Sequence, residues 1–290
     1  MRLMLFWMVP MLLSAELSVD HVTVAGRDLK RMQAALGAVG LPVEYGGTHA
    51  NHATEMAITS FPDGSYLELI ALRPDADAAA VAAHPWAAWM KGDAGPCAWA
   101  VRVKDMAAEV ARLKAAGVEV GAPVRSGRER PDGVRLDWET ARVGAEPNGT
   151  FFPFLIHDFT ERKARAFPSG KAGAKDFSGI TRVVIAVRSL KDAVERYKKA
   201  YGLGAPLQQV DREFGAHLAL LGGTPVVLAA PLTSQTWLAE RLEKFGEGPC
   251  AFVLGARKPG KYKAASEARW FGTDIFWFDE AALGWRLGFE

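Results

Sequence analysis

In the stretch "YLELIA", residues 66–71, a carboxylate interrupts a strand-like run: Glu68 sits among Tyr66, Leu67, Leu69 and Ile70. A carboxylate packed dry and unpaired costs several kcal/mol, so Glu68 implies a compensating cation, either a bound metal or an arginine. Arg102 is the arginine expected to pair with it if no metal does. Upstream, "GGTHANHATEM" places His49, His52 and Glu55 within seven residues, and His21 opens the apolar run "DHVTVA". In extended chain His52 and Glu55 would point to opposite faces, so at most one of them can point where Glu68 points. His157 follows a later strand and is a weaker candidate, whereas His84 and His217 are expected to be structural or on the surface.

The elements that must position these groups are repeated. "GRDLKRMQAALGAVGLP" from Gly26 matches "VKDMAAEVARLKAAGVEV" from Val103: a strand end, an aspartate suited to N-capping (Asp28, Asp105), then an amphipathic helix ending at glycine. The two aspartates are 77 residues apart. "FPDGSYLELI" matches "EPNGTFFPFLI", Gly64 on Gly149, and both carry Pro-Asx-Gly, where proline presets one dihedral and glycine accepts a positive one. Each unit reads strand, helix, then two or three strands, a βαβββ module. A third copy starts at "ITRVVIAVRSLKDAVERYKKAYGLG" and closes on "GGTPVVLAAP". A fourth starts at "GPCAFVLGA", whose Gly248, Pro249, Cys250 and Ala251 repeat Gly95, Pro96, Cys97 and Ala98. The expected fold is α+β, with four modules forming two paired, curved mixed sheets. The expected division is a leader at 1–15, a first domain at 16–160, a polar surface linker at 161–178 and a second domain at 179–290.

This series, opening on "DHVTVAGRDL" and closing its first module on "YLELIA", resembles the vicinal oxygen chelate superfamily, and within it the glyoxalase-like branch with the glyoxalase/bleomycin-resistance/dioxygenase type of fold. The resemblance is good over residues 19–157 and fades over 179–290. It implies a divalent metal in the sheet cavity, with His21 and Glu68 at the two ligand positions and zinc, iron, manganese or nickel compatible with the donors. It further implies Lewis-acid activation of a small chelating substrate. His52 is the expected third ligand, and Tyr66, Phe151, Arg102 and Trp138 are expected to contact substrate.

The pattern also departs from the family. The repeat alignment sets Ala98 opposite His21 and Pro153 opposite Glu68, and in the third module Arg182 and Val227 occupy these places, so only the first module keeps the pair. Two functions therefore stay open: a metal-assisted lyase, isomerase or dioxygenase, or a metal-free module that binds or sequesters a small molecule without catalysis. In "GVRLDWETARV", alternation puts Val134, Leu136, Trp138 and Thr140 on one face and Arg135, Asp137, Glu139 and Ala141 on the other, without saying which meets the cavity.

Thirty-five basic residues against 33 acidic ones, spread along the 290-residue chain, give no concentrated field for a polyanion, so nucleic acid is not an expected partner. A small molecule is, and a homodimer is compatible with the pattern. No phosphate-binding glycine loop, Gly-x-Ser-x-Gly elbow or Cys-x-x-Cys pair occurs. The first residues, "MRLMLFWMVPMLLSA", have the layout of a secretory signal peptide, which would make the protein periplasmic or extracellular; otherwise it is cytoplasmic. The run is too short for a spanning helix. Cys97 and Cys250 are expected to be packing residues, with a disulfide between them as the alternative for an exported protein.

Overall fold

A computed structural model describes residues 17–290; the leader expected at 1–15 lies outside the described residues. The chain forms two eight-stranded sheets. The first contains β1 (Val19–Ala25), β2 (Glu44–Thr48), β3 (Thr54–Ser60), β4 (Tyr66–Leu72), β5 (Gly95–Arg102), β6 (Val124–Glu129), β7 (Arg135–Ala141) and β8 (Phe154–Asp158), in the order β2-β3-β4-β1-β5-β8-β7-β6. The second contains β9 (Phe177–Ala186), β10 (Leu207–Asp211), β11 (Ala216–Leu220), β12 (Val226–Pro231), β13 (Gly248–Ala256), β14 (Ser266–Trp270), β15 (Thr273–Trp277) and β16 (Arg286–Phe289), and repeats that order. The α+β fold of four tandem modules is therefore present as expected.

Helices α1 (Leu29–Ala38), α4 (Met106–Ala115) and α6 (Leu190–Tyr201) follow the first strands of three modules, capped by Asp28, Asp105 and Ser189. In the fourth module the helix shrinks to one 3-10 turn, Pro259–Lys261. The remaining helices are α2 (Ala78–Ala83), α3 (Ala87–Lys91), α5 (Arg162–Ala166), α7 (Trp237–Phe245) and α8 (Glu280–Leu283). Among the described residues no helix is long and apolar enough to cross a membrane.

Within each sheet the two modules meet along antiparallel first strands. Val22 faces Trp99, with His21 opposite Ala100 and Thr23 opposite Ala98. Since Val22 and Trp99 are 77 apart, this pair lies on the local twofold axis, and the helix-derived offset is the true one. The second pair of modules behaves alike, with Val183 facing Phe252. One core runs between the outward faces of the two sheets, from Val22, Leu67, Leu69 and Trp99 to Val183, Leu228 and Phe252, and includes the apolar sides of α1, α4 and α6.

The hairpin offset is another matter. Gly64 and Gly149 both adopt the positive φ that the two turns require, +81° and +73°. In the ladders, however, Thr23 pairs with Glu68 while its equivalent Ala100 pairs with Phe154. Phe154, not Pro153, is the counterpart of Glu68. One extra residue lies in the irregular stretch between Gly149 and β8, and a one-residue slip exchanges the faces of a strand. Phe151, expected at the cavity, is instead fully buried in the core against Phe152 and Tyr197.

Cys97 and Cys250 are both free and buried, so the disulfide alternative is not realised. Between the two "GPCA" segments lies Arg241, whose guanidinium donates to the carbonyls of Pro96 and Pro249 and straps β5 to β13. Burial pushes the Cys250 thiol up to about 12 and raises that of Cys97 further. Because the thiolate is the reactive form, both cysteines should resist iodoacetamide in the native protein and react fully in denaturant. Alkylation followed by mass measurement, expected to show two masked thiols, checks this.

Candidate active site

The inward face of the first sheet lines a cavity of about 190 Å³. As alternation requires, Tyr66, Glu68 and Ile70 face it and Leu67, Leu69 and Ala71 face the core. Trp138 and Thr140 settle the β7 ambiguity in favour of their set, and Ser126 and Arg128 of β6, Phe154 and Ile156 of β8 and His21 of β1 complete the sheet wall. The segment around α2 and α3 contributes His84 and Trp86, and the loop after β2 contributes His49 and Asn51.

At one wall, two imidazoles bracket one carboxylate. His21 Nε2 lies 3.7 Å from Glu68 Oε2, and His49 Nε2 lies 3.5 Å from Glu68 Oε1. The Thr23 hydroxyl donates to Oε2 at 3.2 Å. Burial alone would raise the Glu68 carboxyl, but the hydrogen bond to His49 and the positive character of His21 outweigh it and bring it down to about 2. Glu68 is therefore ionised while only 5 % exposed.

Behind His21 stands a second buried carboxylate, Asp20, with no solvent exposure. Its burial is opposed by Arg165, by the hydrogen bond from His21 and by Arg162, which together hold it well below the usual carboxylate range. Arg165 reaches Asp20 with two nitrogens at 3.0 and 2.9 Å, binds Asp158 at 2.6 and 2.8 Å, and donates to the Tyr66 hydroxyl at 2.7 Å. An ionised carboxylate only accepts, so His21 Nδ1, 2.6 Å from Asp20 Oδ1, carries the hydrogen. Its Nε2 then turns toward Glu68, and lone pair and carboxylate repel unless they share a cation.

His52, expected as a metal ligand, is turned away from this cluster. It sits exposed in the turn before β3 with φ of 57°, and does not line the cavity. The loop is set by Asn51, whose side-chain oxygen accepts from the amides of Ala53 and Thr54 at 3.0 and 3.2 Å, and this places His49 inward with its Nδ1 2.8 Å from the Thr54 hydroxyl. Glu55 instead takes the Tyr45 hydroxyl at the sheet edge. Arg102 is also displaced: it donates to the Asp63 carbonyl at 3.0 Å, away from the cavity, so Glu68 is paired with histidines and not with it. His157 turns back to the Val103 carbonyl. His84, expected to be structural or superficial, does line the cavity; burial lowers it to about 4, and its Nδ1 accepts from the Trp86 amide at 3.1 Å.

The expected surface linker also departs from its composition. It contains α5, whose Arg165 is only 3 % exposed, stands at the cavity and neutralises Asp20. Polar composition suggested solvent here because a lone sequence does not show which charges meet a buried partner. Arg128 is missed for the same reason, although its period-two relation to Ser126 marks both as sharing a face.

By type, His21, His49 and Glu68 are divalent-metal donors. Among the described residues, however, no three His, Cys, Asp or Glu side chains converge closely enough to hold an ion. The donors fit a metal by chemistry and not by arrangement.

The second sheet has no comparable group. The places of His21 and Glu68 are Arg182 and Val227 in the third module, with Arg182 tied to Glu290 at 2.7 Å, and Ala251 and Gly288 in the fourth. A Cβ on Gly288 would come within 3.0 Å of the Trp277 ring. Trp277, Trp270 and Phe214 pack together on this inner face, and Arg286 stacks 4.1 Å from the Trp237 ring centre.

Among curated proteins none matches the chain in sequence. In solved structures, a hypothetical protein from Staphylococcus aureus is 15% identical, with a TM-score of 0.65 over 94% of this chain and 98% of that one, and so shares the fold. Methylmalonyl-CoA epimerase from Mycobacterium tuberculosis is 21% identical and overlaps 39% of this chain and 87% of its own, with a TM-score of 0.34. The model of the glyoxalase-like domain matches residues 19–201, more than half of the chain, and with the paired βαβββ modules this makes the protein a member of the glyoxalase-like domain family of the vicinal oxygen chelate fold.

Proposed function

We propose that the first sheet binds a small, partly hydrophobic, oxygen-bearing molecule in its cavity and handles the polar end of that molecule at the His21–Glu68–His49 cluster. The observation that carries this reading is the bracketing of one buried, ionised carboxylate by two imidazoles at the wall of a cavity whose apolar lining includes Met56, Tyr66, Trp86, Trp138 and Phe154. The cavity lies below the roughly 300–1,000 Å³ of drug-sized sites, which limits the occupant to a small molecule.

The cluster's chemistry is proton transfer. His21, oriented by Asp20, and His49, oriented by Thr54, each present Nε2 to a different oxygen of Glu68. A ligand oxygen or an acidic C–H that approaches the cluster from the cavity side exchanges a proton with an imidazole or with Glu68. The second sheet, with its inner face packed by aromatic rings, serves as scaffold.

A metal-assisted lyase, isomerase or dioxygenase is the second reading, favoured by the donor types alone. Metal analysis of untagged protein and of Glu68→Gln separates the two. Stoichiometric zinc, iron, manganese or nickel in the native chain, lost in the variant, would replace proton transfer by Lewis-acid chemistry. Binding is read from Trp86 and Trp138 fluorescence during titration with acetophenone, benzaldehyde and phenylpyruvate. Saturable quenching by at least one of them is expected, and Thr140→Trp, which fills the cavity, should abolish it. A native chain that responds to none of them ends the small-molecule reading.

A further inference from the structure

The cavity contains a guanidinium without an acid. Arg128 is only 3 % exposed and lines the wall contributed by β6. Its one hydrogen bond among the described residues runs from Nη1 to the Gly46 carbonyl on β2, where it bridges the two edge strands of the sheet. No carboxylate among the described residues stands within ion-pair distance of it. Every other strongly charged group at the cavity has its partner: Arg165 holds Asp20, Asp158 and the Tyr66 hydroxyl, and Glu68 holds two imidazoles and Thr23.

A guanidinium cannot shed its charge at neutral pH, so a buried one calls for an anion, and no carboxylate of the described residues pairs with Arg128. The bridge to Gly46 uses one nitrogen, whereas a guanidinium offers a planar fork that matches the two oxygens of a carboxylate. The Ser126 side chain lies two residues along the same face of β6, and the ring of Trp138, which is paired with Ser126 across the strands, supplies an apolar neighbour.

We infer that the ligand is a small carboxylic acid with an apolar body, its carboxylate received by Arg128 and its other oxygen-bearing end directed to His21, Glu68 and His49. This rests on the small-molecule reading above and narrows it to an anion. Burial also lowers the proton affinity of Arg128, opposed only in part by the negative character of Tyr66 and Glu68 across the cavity.

The test uses the full chain and two matched pairs of probes, benzoate against benzamide and phenylacetate against phenylacetamide, followed by Trp fluorescence. The native protein should bind the acids at least about tenfold more tightly than the amides, as charge-assisted hydrogen bonds imply. Arg128→Gln should bring acid and amide to equal affinity. In case that variant does not fold, Ser126→Asp supplies an internal carboxylate beside the guanidinium and should abolish benzoate binding while raising the melting temperature. Equal binding of acid and amide by the native chain would overturn the anion inference and leave the cavity reading standing; binding of neither would remove both. An acid preference that survives Arg128→Gln would also overturn it, by showing that another group supplies the charge.

Discussion

Replacing Arg165 with methionine is expected to lower the unfolding free energy by about 3–5 kcal/mol, the usual cost of stranding one partner of a buried ion pair. Asp20 has no solvent exposure, and Arg165 meets it with two nitrogens while also holding Asp158 and the Tyr66 hydroxyl. Arg162 also reaches Asp20 and lies 3.4 Å from Asp158, but it is more exposed and shares its hydrogen bonds with the Gly64 carbonyl, so it offsets only part of the loss. Methionine keeps much of the side-chain volume, which confines the change to charge and hydrogen bonding.

Because the loss arises from an uncompensated carboxylate, Asp20→Asn in the same chain should recover part of it, and the two substitutions should be strongly non-additive. Urea unfolding of the native chain, the two single variants and the double variant measures the coupling. A loss under about 1 kcal/mol for Arg165→Met would mean that Asp20 is paired by other groups. His21 should respond as well, since its Nδ1 hydrogen is held by Asp20, and its imidazole NMR signals are expected to shift in both single variants.

Acid stability is expected to depend on Glu68. Its carboxyl falls from the ordinary 4.5 to about 2 in the folded chain. A depressed carboxylate contributes stability that is fully present above its unfolded value and is lost as pH falls through the folded one, here between about 4.5 and 2. At roughly 1.4 kcal/mol per pH unit, the contribution is about 3 kcal/mol. His84 acts in an adjoining window: lowered from 6.5 to about 4, it binds a proton more readily in the unfolded chain, so it adds a loss of stability as pH falls from 6.5 toward 4.

Unfolding free energies measured from pH 7 to pH 3 should therefore decline in two overlapping phases. Glu68→Gln should be less stable than the native chain at pH 7 and converge toward it near pH 3. His84→Gln should flatten the upper phase only. If Glu68→Gln ran parallel to the native curve throughout, the carboxylate would not be held ionised by the two histidines.

Much of this architecture can be read along the chain. The "GRDL"/"VKDM" and "GPCA" repeats predict four modules, and the 77-residue spacing coincides with the Val22–Trp99 pair on the local twofold axis. Strand alternation separates Tyr66, Glu68 and Ile70 from the core residues between them. The errors lie where regular backbone stops. One additional residue before β8 moves Phe154 into the cavity and Phe151 into the core. The turn at Asn51 and His52 brings His49 inward in place of its neighbour.

By itself the sequence determined the elements, their repetition and which residues of a regular strand share a face, because these follow from local periodicity, capping and turn chemistry. It also singled out Glu68 as the charge the fold does not require, since the repeat alignment set Pro153 and Val227 in its place; the ladders replace Pro153 by Phe154 and add Gly288. Only the tertiary structure decided which distant charges meet: His49 at Glu68, Arg165 of the expected linker at Asp20, and Arg128 alone at the opposite edge of the sheet. The reason is physical. The cost of a buried charge depends on what stands within a few ångströms of it, and that is set by strand register and loop path between residues as far apart in the chain as Asp20 and Arg165, for which no local pattern exists.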